Sequence, residues 1–329
     1  MGDRLEKALG CLLAGLIGDA MGNVTEGKEP DEIEARFGWV ETFEGDGTDD
    51  SIMKHILADA LIASNGYATI DEWAAEWVAQ RQLMRSKENR FFVSVRQTAR
   101  KLQHGYIPKM ASIGNMASSS SAMCIAPVGI VNAANPRAAA LQAEELGSLI
   151  HTGDVSFCQD AAAAVAAAVA AAFAREATVE SVLEASTAYL KPTSGALMRG
   201  LITQALDLAR RTGDYKAFRT EYHARFRQDN FIDSRETVPA ALAVVHLAQG
   251  DPRQAIVYGA NFGRDADTIA TMAGSICGAL KGVGALPENW VRQALASSDR
   301  DQRELARKLV EVSYFKARNE IAAWQAAIS

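Results

Sequence analysis

Between Asp160 and Ala174 the chain carries eleven alanines, interrupted by Val165, Val169 and Phe173 at four-residue spacing. Alanine has the best helix propensity, and its small side chain lets neighbouring helices approach closely. Such a run can only be a helix, and its lack of a polar face predicts a central position crossed tightly by others. The same periodicity recurs along the chain. Ile52, Ile56, Leu57, Ala60 and Leu61 fall at helix spacing, as do Ile269, Met272, Ala273, Ile276, Cys277 and Leu280, with Gly282 as the stop. Pro287 is placed to start a further helix through Trp290 and Leu295. Strand alternation is almost absent, no internal repeat occurs, and the Pro/Gly breaks are too short for linkers. The reading is one all-α domain over residues 1–329.

Composition excludes several function classes. With 34 Lys+Arg against 40 Asp+Glu and no basic run, a phosphate-backbone partner is not expected. Cys11, Cys124, Cys158 and Cys277 are scattered without a CxxC pair, as small buried hydrophobes in a reducing compartment would be. The apolar start Gly10–Gly18 follows mixed charges at Asp3, Glu6 and Lys7 and ends at Asp19, unlike a secretory leader. The alanine run is shorter than the roughly 20 residues of a membrane span. A cytoplasmic protein without a membrane or nucleic-acid partner is expected.

Two acidic clusters carry the chemistry. Thr48-Asp49-Asp50 and Asp265-Ala266-Asp267-Thr268 each open a helical stripe. Either alone reads as a helix cap, since side-chain oxygens accept orphan N–H groups and negative charge suits a helix N-terminus. One residue suffices for a cap, however, and each cluster brings two aspartates. Adjacent carboxylates repel unless a cation compensates, and carboxylates beside hydroxyls are hard donors that suit Mg²⁺, Mn²⁺ or Ca²⁺. Together, if brought to one place, they make a two-metal site.

Other features are weaker. Gly15-Leu16-Ile17-Gly18-Asp19-Ala20-Met21-Gly22 has the wrong glycine spacing for a dinucleotide loop and no strand before it. It reads as a helix ending in a turn that presents Asp19 and then Glu26, a surface residue or a gate or acid–base group. His55, His104, His223 and His246 lack ligand spacing, and no Gly-x-Ser-x-Gly nucleophile occurs. Trp73 and Trp77 read as helix packing.

Gly18-Asp19-Ala20-Met21-Gly22 with Glu26, Thr48-Asp49-Asp50, Gly114-Asn115 with Met123–Gly129, His151, and Asn261 with Asp265–Thr268 occur in an order that resembles the ADP-ribosylglycohydrolases. The resemblance extends from about residue 8 to about residue 290. It implies an all-α fold whose cleft holds two Mg²⁺ or Mn²⁺ ions. Thr48, Asp49 and Asp50 would ligate from one side, and Asp265, Asp267 and Thr268 from the other. Glu26 matches the family's glutamate near the metals. Asn115, Ser119, Ser120, Ser121 and Met123 of the middle loop, with His151 and Arg264, would contact the ADP-ribose.

The chain departs from the family in two places. Arg264 and Ala266 stand where the usual second cluster, Gly-Gly-Asp-Thr-Asp-Thr, has a glycine and a threonine. Ser118–Cys124 replaces the common Gly-Ala-Ala-Met-Arg. The resemblance implies metal-assisted hydrolysis of the glycosidic bond between ADP-ribose and an acceptor, either a protein side chain or a small molecule. Asp49, Asp50, Asp265 or Glu26 would orient or deprotonate the water. The altered loop leaves open a smaller ribosyl compound or nucleoside, and retention of the fold as a non-catalytic binding module is the third reading. A monomer or weak homo-oligomer is expected.

Overall fold

Glycine contacts between two buried helices organise the molecule. The computed structural model describes residues 2–328, and among them all regular structure is helical. The amino-terminal helix Gly2–Gly22 is buried on every side from Ala8 onward, and the helix that follows the second acidic cluster, Ala266–Lys281, is buried from Ala266 to Leu280. Helices apolar all round belong in a core, and these two pack on each other more extensively than any other described pair. Their backbones come so close that a Cβ on Gly278 would stand 2.2 Å from the Gly10 carbonyl oxygen, and one on Gly22 2.3 Å from the Asp267 Cα. The second contact matters for function, because it seats the end of one helix on the start of the other.

The alanine run forms the helix Phe157–Ala172, buried at Cys158 and at every residue from Asp160 onward. It packs against helices Ala126–Val131, Pro136–Gly147 and Val179–Ala188, as its lack of a polar face predicts. Gly129 lets the first of these lie against Val169, where an added Cβ would be 2.5 Å away. Trp73 and Trp77 are buried and meet edge to face at 5.5 Å, a packing pair. Gly282 ends its helix with φ 78°, as its position predicts. Pro287 is displaced by one residue from the expected place. It is extended, at φ −56° and ψ 131°, and caps the helix Glu288–Ser297 from outside.

Because Gly278 faces backbone, which cannot move aside as a side chain can, Gly278→Ala should overpack the central contact and cost on the order of 1–3 kcal/mol. Chemical denaturation should show a lowered midpoint for Gly278→Ala. Gly284→Ala, where nothing lies within 4 Å, should leave the midpoint where it is.

Candidate active site

Neither acidic cluster caps its own helix. Thr48 and Asp265 occupy the N-cap positions of Asp49–Ala63 and Ala266–Lys281, yet neither side chain accepts a capping bond. For the first helix Asp19 does this from the amino-terminal helix. Its fully buried carboxylate accepts the Thr48 N–H and hydroxyl at 2.8 Å each and the Ser51 N–H at 2.9 Å. Gly47, at φ 87°, makes room, since a Cβ there would be 2.3 Å from Asp19 Oδ2. The capping reading of the cluster is therefore met by a remote residue, and Asp49 and Asp50 are free of that task.

The clusters converge. The Thr268 hydroxyl reaches Asp50 Oδ1 at 3.5 Å across 218 residues of sequence. Carboxylate oxygens of Glu26, Asp265 and Asp267 lie within 4.8 Å of one another. Glu26 comes from the turn after Gly22, which Thr25 ties down by donating its hydroxyl to the Gly22 and Ala260 carbonyls. These groups open onto a cleft of about 190 Å³ lined by Glu26, Asp49, Asp50, Asp265, Asp267 and Thr268. Ser119, Ser120 and Met123 of the middle loop also line it. Ser119 donates its hydroxyl to Asp265 Oδ2 at 2.9 Å.

Five other residues on the cleft wall, Arg90, Phe91, Phe92, Phe231 and Ile232, escaped the sequence reading. No spacing or charge pattern marks them. Only the strap from Gln228 to Ser234 explains two of them: Ser119 donates its N–H to the Ile232 carbonyl at 2.7 Å, and Asn230 donates to Ala117 O at 3.1 Å. Arg90 donates one N–H to the Gly47 carbonyl at 3.0 Å, which uses one of its five donors.

Several residues expected to touch substrate, and one expected to ligate metal, Thr48, stand behind the wall instead. His151 is fully buried and bridges the hydroxyls of Ser118 and Ser121 at 2.9 and 3.0 Å. Burial pushes its pKa down to about 3, so the ring is neutral. Ser121 also donates to the Cys158 carbonyl, and Asn115 donates to Thr98 and to the Ile150 carbonyl at 2.8 and 2.7 Å. These three residues hold the loop from within. Thr48, bonded to Asp19, likewise lies outside the cleft lining. Arg264 turns away from the cleft: its guanidinium chelates the buried Glu236 and donates to Gln228 O at 2.6 Å. Its backbone sits at φ 57°, the conformation for which glycine is suited.

The electrostatics are severe. Burial, followed by mutual repulsion, holds Asp50, Asp265 and Asp267 well above the usual carboxylate range. Burial and the charge of Asp19 push half-buried Asp49 up to about 7 and raise Glu26. Two carboxylates this close repel by roughly 3–4 kcal/mol at an effective dielectric near 20. They cannot all ionise without added positive charge. Asp50 Oδ2 and Asp267 Oδ1 are buried with no hydrogen-bond partner, and a buried acceptor without a donor is costly unless a cation occupies its lone pairs. The all-oxygen donor set fits Mg²⁺ or Mn²⁺.

An all-helical enzyme with an acidic cleft at the joint of two core helices is the class these features define. The ADP-ribosylglycohydrolase family profile matches residues 1–319. ADP-ribosylarginine hydrolase Tri1 of Pseudomonas putida is 27% identical, over 88% of this chain and 74% of that protein. ADP-ribosylhydrolase ARH3 of Bos taurus is 24% identical, over 87% and 88%. Among solved structures, an ADP-ribosylglycohydrolase-related protein complex superposes with TM-score 0.71 at 20% identity, covering 95% of this chain and all of that one. The chain belongs to the ADP-ribosylglycohydrolase family and is a glycosyl hydrolase.

The raised carboxylates have a consequence for stability. The folded state keeps protons that the unfolded state releases near its ordinary pKa of about 4, so stability declines as pH rises from there through about 7. Without metal, the melting temperature should be lower at pH 8 than at pH 5. Mg²⁺ or Mn²⁺ should raise it more at pH 8, where Asp49 is ionised and protons compete less with the metal than at pH 5. Equal shifts at both pH values would contradict this account.

Proposed function

We propose that this enzyme hydrolyses the glycosidic bond between C1 of the distal ribose of ADP-ribose and an acceptor, with two Mg²⁺ or Mn²⁺ ions as cofactors. The convergence of both clusters in one cleft, with carboxylate oxygens unpartnered, is the observation that carries this reading. Asp49 and Asp50 from one helix start, and Asp265, Asp267 and Thr268 from the other, would hold the ions, with Glu26 beside them. Bound there, the ions would polarise the ribose hydroxyls as Lewis acids and fix the sugar.

The protein's own groups do the rest. Glu26 is half-buried at the cleft, and its raised pKa suits it to take a proton from water; a positioned base of this kind contributes about 10²–10⁴-fold. The surrounding carboxylates stabilise positive charge developing at C1. Phe91, Phe92, Phe231, Ile232 and Met123 exclude water from the sugar. Arg90 offers its remaining N–H groups to a substrate phosphate, since guanidinium pairs well with phosphate oxygens.

Two measurements test this. The Asp49→Ala, Asp267→Ala double variant should neither bind Mn²⁺ nor release ADP-ribose from ADP-ribosyl-arginine or ADP-ribosyl-serine; turnover at the wild-type rate would refute the proposal. Glu26→Gln should lower kcat by about 10²–10⁴-fold while calorimetry shows ADP-ribose still bound. Loss of binding in place of turnover would reassign Glu26 to holding substrate.

A further inference from the structure

Lys54 is the most unusual side chain in the molecule. It is fully buried, and its Nζ has neither a hydrogen-bond partner nor a carboxylate within 4.0 Å among the described residues. It stands one helical turn beyond Asp50 in Asp49–Ala63, and helical side chains lean back toward the N-terminus. The charges that act on it are Asp19 and Asp50, with the thiols of Cys11 and Cys124 as the other titratable neighbours. Burial raises both thiols, Cys11 to about 12, so they stay neutral and supply no counter-charge. On the opposite side Gly15 makes the space: a Cβ there would be 3.0 Å from Lys54 Nζ and 2.3 Å from Ser275 Oγ. A buried ammonium is costly unless opposite charge is near. Here the opposite charges that act on it are Asp19 and Asp50, the second of them a carboxylate of the cleft.

We propose that Lys54 is a positioning residue for the metal centre: a built-in cation that offsets part of the carboxylate charge and thereby weakens the site's hold on divalent metal. The proposal rests on the metal-binding reading above. Coulomb's law gives the direction. Burial lowers the Lys54 pKa from the ordinary lysine value, against the opposing pull of Asp19 and Asp50; where the ammonium keeps its proton, its charge repels an incoming divalent ion, strongly so in a buried setting. Gly15, Asp19 and Lys54 then form one device, in which the helix that presents Asp19 also leaves the room for the ammonium.

The test is Mn²⁺ titration calorimetry at one fixed pH of about 8.5, above the point near 7 where Asp49 loses its proton, on the wild type, Lys54→Met and Lys54→Gln. Both neutral variants should bind Mn²⁺ at least about tenfold more tightly, and their melting temperatures should rise further on Mn²⁺ addition. If Lys54→Met does not fold without metal, Lys54→Gln keeps a polar group in the same space and supplies the comparison. Unchanged or weaker affinity in a variant that circular dichroism shows to be folded would overturn the role of Lys54 alone. Failure of the wild type itself to bind Mn²⁺ would overturn the metal centre, and this proposal with it.

Discussion

The glycine contact between Gly2–Gly22 and Ala266–Lys281 is the constraint on which the rest depends. Backbone against backbone at Gly10 and Gly278 sets the separation of the two helices, and Gly22 against Asp267 sets their register at the functional end. From that joint Asp19 reaches sideways to cap the first-cluster helix, and the turn beyond Gly22 brings Glu26 to the second cluster. One close-packed pair of helices thus places three separate stretches of chain around one cleft. A larger residue at Gly10 or Gly278 would overpack the core, and one at Gly22 would press directly on the backbone of Asp267.

Behind the cleft lies a second layer that is polar but not reactive. His151 staples Ser118 and Ser121, Asn115 ties its loop to Thr98 and the Ile150 carbonyl, and Arg264 clamps Glu236 beneath the strap that carries Phe231 and Ile232. Where the resemblance implies a glycine and, in many members, a Gly-Ala-Ala-Met-Arg loop, this chain puts an arginine ion pair and a serine network. The divergent residues brace the cleft wall from inside, and of the serines only Ser119 and Ser120 face the cleft. The strain of a non-glycine residue in the left-handed region at Arg264 is offset by its chelation of a buried glutamate.

How much was legible in the sequence varies with how local the signal is. The alanine helix, the Gly282 stop and the Trp73–Trp77 pair follow from propensity and spacing, which act over a few residues. The acidic clusters were legible because two aspartates exceed what a cap requires. The roles of His151 and Arg264 were not, because motif order tells that a residue is near a site but not which way its side chain points. Arg90, Phe91, Phe92, Phe231 and Ile232 carry no local signature at all. They line the cleft only because distant segments fold against the serine loop.

By itself the sequence determined the all-α class, the core position of Ala161–Ala172 and the hard-oxygen chemistry of two clusters, since helix periodicity and donor type are properties of short stretches. The tertiary structure alone decided that Thr268 meets Asp50, that Asp19 does the capping, that Lys54 is buried with its Nζ unpartnered, and that the middle loop is held by His151. These facts depend on contacts across tens to hundreds of residues, whose geometry arises only when the glycine-packed helices set the distances.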